Sequence, residues 1–430
     1  MLEVPGTRRL LVLAGSAFLV LAAEPTYVLV DTAVVGHLGS VPLGALGLGG
    51  TLLSLIAMLG SFLDYATTAR AARWFGTGRR DLAVDEGVAA SILALGVGII
   101  GVIVGEALSR PMLELLSGGS ATLTDAAERW FRIAVLGLPG MLLALAGNGW
   151  MRGVQDTKRP VAIAVAANVL SAAASPVLVY AVGLGLAGSA VANLGAQTVA
   201  GALFVVALRA ERRPWRPSRE TMTAFLRPAK DLLARKAGLQ VSILVASAVA
   251  ARMGTAQIAA HQIGYECWAF VSLVLDSFAI AAQSLVGAAL GARDPAGARR
   301  IAWQVAGYGA AAGAFMGAAL AAGWSVIPDV FTADAPVRHQ VQLLWPFLAG
   351  MQPAAGVVFA LDGVLIGAGD VRYMRNLTLV ATLGVYLPVG VASWQLNWGI
   401  RGLWAGLTAS ILVRLAGMIW RTAGSRWSAE

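Results

Sequence analysis

The stretch EPTYVLVDTAVVGHLG, Glu24 to Gly39, puts two carboxylates and a proline inside a run that is otherwise largely apolar from Leu10 to Leu38. About 20 apolar residues, rising about 1.5 Å each, cover a hydrocarbon core about 30 Å thick, so a run of this length spans a bilayer. Its acids are then expensive. An Asp at the centre of a membrane helix costs roughly 2.5–3.5 kcal/mol on insertion scales, and it is expected to face protein or a wet cavity. Pro25, six residues before Asp31, removes a backbone donor and crowds the preceding turn, which predicts a helix bent or bendable beside the acids. Asp31 is the leading functional candidate and Glu24 the second. The competing reading makes both structural carboxylates, satisfied by hydroxyls of neighbouring helices.

Composition agrees with a membrane protein: 58% of residues are hydrophobic and 13% charged, against about 25% charged in soluble domains. The net charge of +9 does not indicate nucleic acid, because the basic residues fall between apolar runs and not along one face. A single cysteine, Cys267, and three scattered histidines supply neither a disulfide framework nor a metal cluster. No metal site and no cofactor are expected. Arg8 and Arg9 precede a first run that lacks a small-residue cleavage pattern, so it reads as a span and not a removed signal peptide.

Twelve spans are expected, at about 10–37, 42–75, 87–109, 123–149, 159–182, 187–209, 231–252, 256–290, 300–325, 340–366, 374–396 and 400–420. Lys and Arg concentrate before the first span and after every even-numbered one, with the densest group from Arg212 to Arg219. The positive-inside rule then places both termini in the cytoplasm, in a multi-pass cell (inner) membrane protein. The polar stretch around Pro214, Pro217 and Pro228 divides an N-terminal six-helix lobe, 1–210, from a C-terminal one, 231–430, with 211–230 as cytoplasmic linker.

The halves repeat. Laying Gly39 on Gly254 brings VDTAVVGHLG onto VASAVAARMG, and PGMLLALAGNGWMRGVQD from Pro139 overlays PAAGVVFALDGVLIGAGD from Pro353. An even number of spans per half relates the lobes by an axis along the membrane normal, an arrangement transporters use. Asp31 falls on Ala246, and a residue needed only for the fold would be expected in both copies. The second half has its own polar set, including Asp276, Gln283 and Asp362. Asp276 and Gln283 share a helix face, and these acids either line a cavity or satisfy one another. Asp64 is followed closely by Arg70 and Arg73, which predicts an ion pair near the cytoplasmic mouth.

VDTAVVGHLG, LDSFAIAAQSLVGAALGARD from Leu275 and LDGVLIGAGD from Leu361 resemble the multidrug and toxic compound extrusion (MATE) family, in particular its DinF-like branch, over nearly the whole chain. The resemblance implies an all-α polytopic fold: twelve transmembrane helices in two six-helix pseudo-repeat lobes, V-shaped. It implies a cation-coupled antiporter that expels amphipathic organic compounds by alternating access, with no enzymatic activity. The family's central aspartate corresponds to Asp31 and the branch's proline to Pro25 as hinge. Where the family often reads Asn-x-x-x-Asp-Pro, this chain has Ser171, three alanines, Ser175 and Pro176, and a family Thr is replaced by Asn193. Losing the second acid weakens a sodium site, since hard cations want several charged oxygens. Protons are the preferred coupling ion and sodium the alternative, with Asn168, Ser171, Ser175 and Asn193 as neutral partners of Asp31. Tyr27, Gln197, Asp276, Gln283 and Asp362 are the substrate-cavity candidates. The expected partners are small organic molecules and the lipid bilayer, with no nucleic acid and no obligate protein partner. A lipid-linked oligosaccharide flippase is the alternative function. It would need a cationic cavity, for which Arg132, Arg235, Lys236 and Arg414 are the available bases.

Overall fold

The computed structural model describes residues 7–428 apart from 119, 218 and 333, and the side chains of Glu24, Leu59 and Arg227 also lie outside the described part. Among the described residues there is no strand. The first half runs as α1 (Thr7–Gly36), α2 (Ser40–Gly60), α3 (Phe62–Gly76), α4 (Arg80–Leu116), α5 (Ala121–Ala134), α6 (Leu138–Gly153), α7 (Lys158–Pro176) and α8 (Leu186–Arg209). The second runs as α9 (Arg219–Met253), α10 (Thr255–Gly291), α11 (Pro295–Ala322), α12 (Val326–Phe331), α13 (Ala335–Gly350), α14 (Gln352–Gly367), α15 (Val371–Leu379), α16 (Leu387–Gln395) and α17 (Gly399–Ala423).

Eleven helices among the described residues are long and apolar enough to cross a membrane, and twelve if the pair Ala335–Gly350 and Gln352–Gly367 counts as one span. That pair occupies the span expected over 340–366, and it is bent by 50° at Met351. Pro353 at the start of α14 lacks the amide that would continue the ladder from α13. α1 is helical through Pro25. Two π-helical segments, Val177–Ala181 and Val380–Tyr386, follow α7 and α15; such insertions are frequent at functional sites.

The chain forms two compact units, Leu19–Ala229 and Lys230–Glu430 with Met1–Phe18. Each is packed through glycines. In lipid there is no hydrophobic drive between helices, so small residues that let backbones approach provide the attraction. A Cβ at Gly149 would lie 2.6 Å from the Asp64 carbonyl, and one at Gly363, its repeat partner, would overlap the Ala279 carbonyl. Gly153 against Thr68 and Gly367 against Gln283 repeat the same contact one turn on. Gly39 and Gly254 both take positive φ, 119° and 140°, a conformation open to glycine at little steric cost. Within the first unit these contacts hold α6 against α3, the helix carrying Asp64.

Candidate functional site

Asp31 is 2% exposed. Ser175 Oγ donates to its Oδ1 at 2.6 Å and Ser189 Oγ to its Oδ2 at 2.7 Å, while the Tyr27 hydroxyl lies 3.5 Å from Oδ2. Behind these stand two further donors, Trp130 Nε1 to Ser189 Oγ at 3.1 Å and Asn193 Nδ2 to the Tyr27 oxygen at 3.3 Å. Helical spacing assembles the set: Tyr27 and Asp31 are one turn apart on α1, Ser189 and Asn193 one turn apart on α8. Ser175 immediately precedes Pro176 and the π segment at the end of α7, and Tyr180 in that segment donates to the Val34 carbonyl at 2.5 Å. Short bonds to an ionised acceptor replace the hydration that burial removes.

Tyr27 also lines a cavity of about 160 Å³ within this unit, together with Ser171, Asn168, Gln197 and Asn148. Asp64 and Arg152 line it as well, paired at 2.8 Å. The buried Ser171 Oγ and Asn193 Oδ1 make no hydrogen bond within the protein, so unused oxygen capacity remains beside Tyr27. Cavities that enclose drug-sized ligands measure about 300–1,000 Å³. The observed volume is therefore too small for such a ligand unless helices lining it move apart. Leu21 lines the cavity too, and its carbonyl is the one whose helical partner Pro25 removes.

Among the described residues the second repeat has no counterpart to the Asp31 network. At the positions of Asp31, Trp130 and Ser189 it carries Ala246, Leu344 and Leu403, exposed 3%, 0% and 1%. Ser175 falls on Val389 and Tyr27 on Ser242, whose hydroxyl donates to the Gly238 carbonyl of its own helix, so the hydrogen-bonded group around Asp31 is particular to the first unit.

Of the residues singled out by sequence, Asp31, Ser175, Tyr27 and Asn193 form one hydrogen-bonded group, and Ser171, Asn168 and Gln197 line the adjoining cavity. Asn168 turns its amide back to the Ala164 carbonyl at 2.8 Å. The Glu24 side chain lies outside the described residues. Pro25 is exposed. Asp276, half-buried, and Gln283, 2% exposed, lie on α10 and do not line this cavity. Asp362 pairs with Arg235 and approaches Arg414 at 3.5 Å. Arg70, expected near Asp64, is bidentate to Glu86 at 2.7 Å, and Arg152 from α6 is the partner that meets Asp64. Sequence reasoning missed Ser189, Asn148 and the role of Trp130. The signal was available for Ser189 and Trp130, since both differ from their repeat partners in the way Asp31 differs from Ala246.

The MatE family model matches residues 17–177 and 237–392, one stretch in each half. Protein DETOXIFICATION 44, chloroplastic, of Arabidopsis thaliana is 30% identical over 423 residues, 95% of this chain and 81% of that protein. DNA damage-inducible protein F of Escherichia coli is 30% identical over 419 residues, 92% and 88% of the two chains. A MATE structure solved in the bent conformation shares the fold with a TM-score of 0.91 at 20% identity, over 100% of this chain and 98% of that one. One in the straight conformation gives 0.87, over 97% and 96%. The chain therefore belongs to the MATE family and is a multi-pass membrane transporter, not an enzyme.

Proposed function

We propose that this transporter is a proton-coupled multidrug antiporter in which Asp31 is the coupling acid. The carrying observation is the asymmetry: a buried carboxylate held by two short hydroxyl bonds and joined to a cavity through Tyr27, where the second repeat has Ala246 in place of Asp31 and Val389 and Leu403 in place of the two serines.

As a carboxylate, Asp31 only accepts, and Ser175, Ser189 and Tyr27 all point a hydrogen toward it. A proton on Asp31 converts it to a donor, so one hydroxyl must turn round. Ser189 already accepts from Trp130. Ser175 is freer, because a helical serine can donate to the carbonyl four residues back, here that of Ser171. Protonation thus loosens the link between α1 and α7 and removes the negative charge that Tyr27 relays to the cavity. A cationic substrate in the cavity then loses its anionic partner, and α1 is released at Pro25, where its ladder already lacks one bond. Competition of proton and substrate for one carboxylate needs only that each bind the two orientations differently. Sodium is less well served, since one carboxylate is present and the hydroxyls that contact it are oriented as donors. The loop charges support cytoplasmic termini in the cell (inner) membrane.

The test uses proteoliposomes and a lipophilic cationic dye. An imposed pH gradient at equal sodium should drive dye accumulation by wild type and not by Asp31→Asn. Accumulation driven equally by a sodium gradient at uniform pH would overturn proton coupling. Absence of dye transport under either gradient would favour the flippase.

A further inference from the structure

The second unit carries a buried charge cluster at the place where the first unit has its cavity. The cavity-lining positions Val20, Asn148, Ala164 and Ala200 fall, in the register set by Gly39 on Gly254 and Pro139 on Pro353, on Arg235, Asp362, Thr378 and Arg414. These four residues meet. Arg235 pairs with Asp362 and donates from Nε to Thr378 Oγ1 at 3.2 Å. Arg414 reaches Asp362 with Nη2 only at 3.5 Å. Its side chain is 9% exposed, and its Nε is buried with no hydrogen-bond partner. The charged groups that act on Arg414 are Asp362 and Arg235.

Two guanidiniums therefore share one carboxylate. Arg235 uses its Nε and Nη2 edge fully, whereas the same edge of Arg414 holds one long bond and one unused donor. Arg414 on α17 and Arg235 on α9 both have largely buried side chains, 9% and 12% exposed. An uncompensated buried cation is unfavourable, and the guanidinium fork matches a carboxylate bidentately. We propose that the Arg235–Asp362–Arg414 cluster is an anion site of the second unit that takes the carboxylate of a small organic acid on the Nε and Nη2 edge of Arg414, with Asp362 as the internal competitor.

Competition gives the site a signature that a purely structural cluster lacks. The probe is radiolabelled benzoate, measured by equilibrium binding to the purified full-length protein in detergent, with benzyl alcohol as the uncharged control. Wild type should bind benzoate and not benzyl alcohol. Arg414→Gln should weaken binding at least tenfold, and Arg414→Lys, which keeps the charge but loses the fork, at least threefold. Asp362→Asn should tighten binding at least fivefold, because the internal carboxylate no longer occupies the guanidiniums. If Arg414→Gln does not fold, the Lys and Asn variants carry the comparison alone. No benzoate binding by wild type, or unchanged or weaker binding by Asp362→Asn, would overturn the proposal, as would chloride competing on equal terms with benzoate. The measurement involves no transport, so its failure leaves the Asp31 reading untouched.

Discussion

Replacing Gly149 by alanine tests how the first unit is held together and how its cavity is shaped. The new Cβ would lie 2.6 Å from the Asp64 carbonyl oxygen and 3.0 Å from Thr67 Cβ, and ordinary contact begins at 3.4 Å. α6 and α3 must then separate locally by about 0.8 Å, the difference between those two distances. The obstacle is backbone and cannot rotate away. Overpacking of this kind costs typically 1–3 kcal/mol, while alanine gains about 1 kcal/mol over glycine in a helix interior. Gly96→Ala in α4 isolates the packing, because nothing lies within 4 Å of a Cβ there and the helical gain is shared. The gap between the two variants should therefore be about 1–3 kcal/mol. Gly363→Ala, whose Cβ would overlap the Ala279 carbonyl, should fall lowest. Thermal unfolding in detergent should place Gly96→Ala at or above wild type, Gly149→Ala below both and Gly363→Ala at the bottom. Coincident unfolding of Gly149→Ala and Gly96→Ala would refute the close-approach account.

Other consequences follow from buried polar groups. Glu86, its side chain 4% exposed, takes both oxygens of its carboxylate to Arg70 and also accepts from Trp74 Nε1 at 3.0 Å. Arg70→Ala should therefore destabilise by about 3–5 kcal/mol, and Arg70→Ala with Glu86→Gln by less than the single change, read from unfolding midpoints and yield. Tyr27→Phe removes the hydroxyl between Asn193 and Asp31, at roughly 0.5–1.5 kcal/mol per neutral bond; the protein should fold yet show slower pH-driven dye uptake in proteoliposomes. Trp130→Phe deletes the donor to Ser189, and uptake should fall less than in Tyr27→Phe, because Ser189 keeps its bond to Asp31.

Asp31 was legible because a carboxylate deep in an apolar run has few innocent explanations, and its absence from the second repeat sharpened the point. The spans were legible because about 20 apolar residues have little else to do than cross lipid. What the chain did not disclose in one dimension was pairing. Asp64 lies within reach of Arg70 and Arg73 along its own helix, yet the tight approach of Gly149 brings Arg152 to it from α6. Asp362 looked like a cavity acid, but helices distant in sequence deliver Arg235 and Arg414 to it. The bend at Met351 was hidden for a different reason: hydropathy records apolar length, not the direction of the helix axis. Comparison of the repeats position by position would have recovered Ser189, Trp130 and the arginine cluster, because each replaces an apolar or small residue in the other copy.

The most direct test of Asp31 as the shared carboxylate is proton release on substrate binding. Purified wild type and Asp31→Asn are each mixed, in weakly buffered detergent solution, with a panel of lipophilic cations and bile-salt-like anions. The account predicts that cations release protons from wild type and none from Asp31→Asn. Equal release from both proteins would contradict it and move the coupling acid elsewhere, with Glu24 and the acids of the second unit next to be tested.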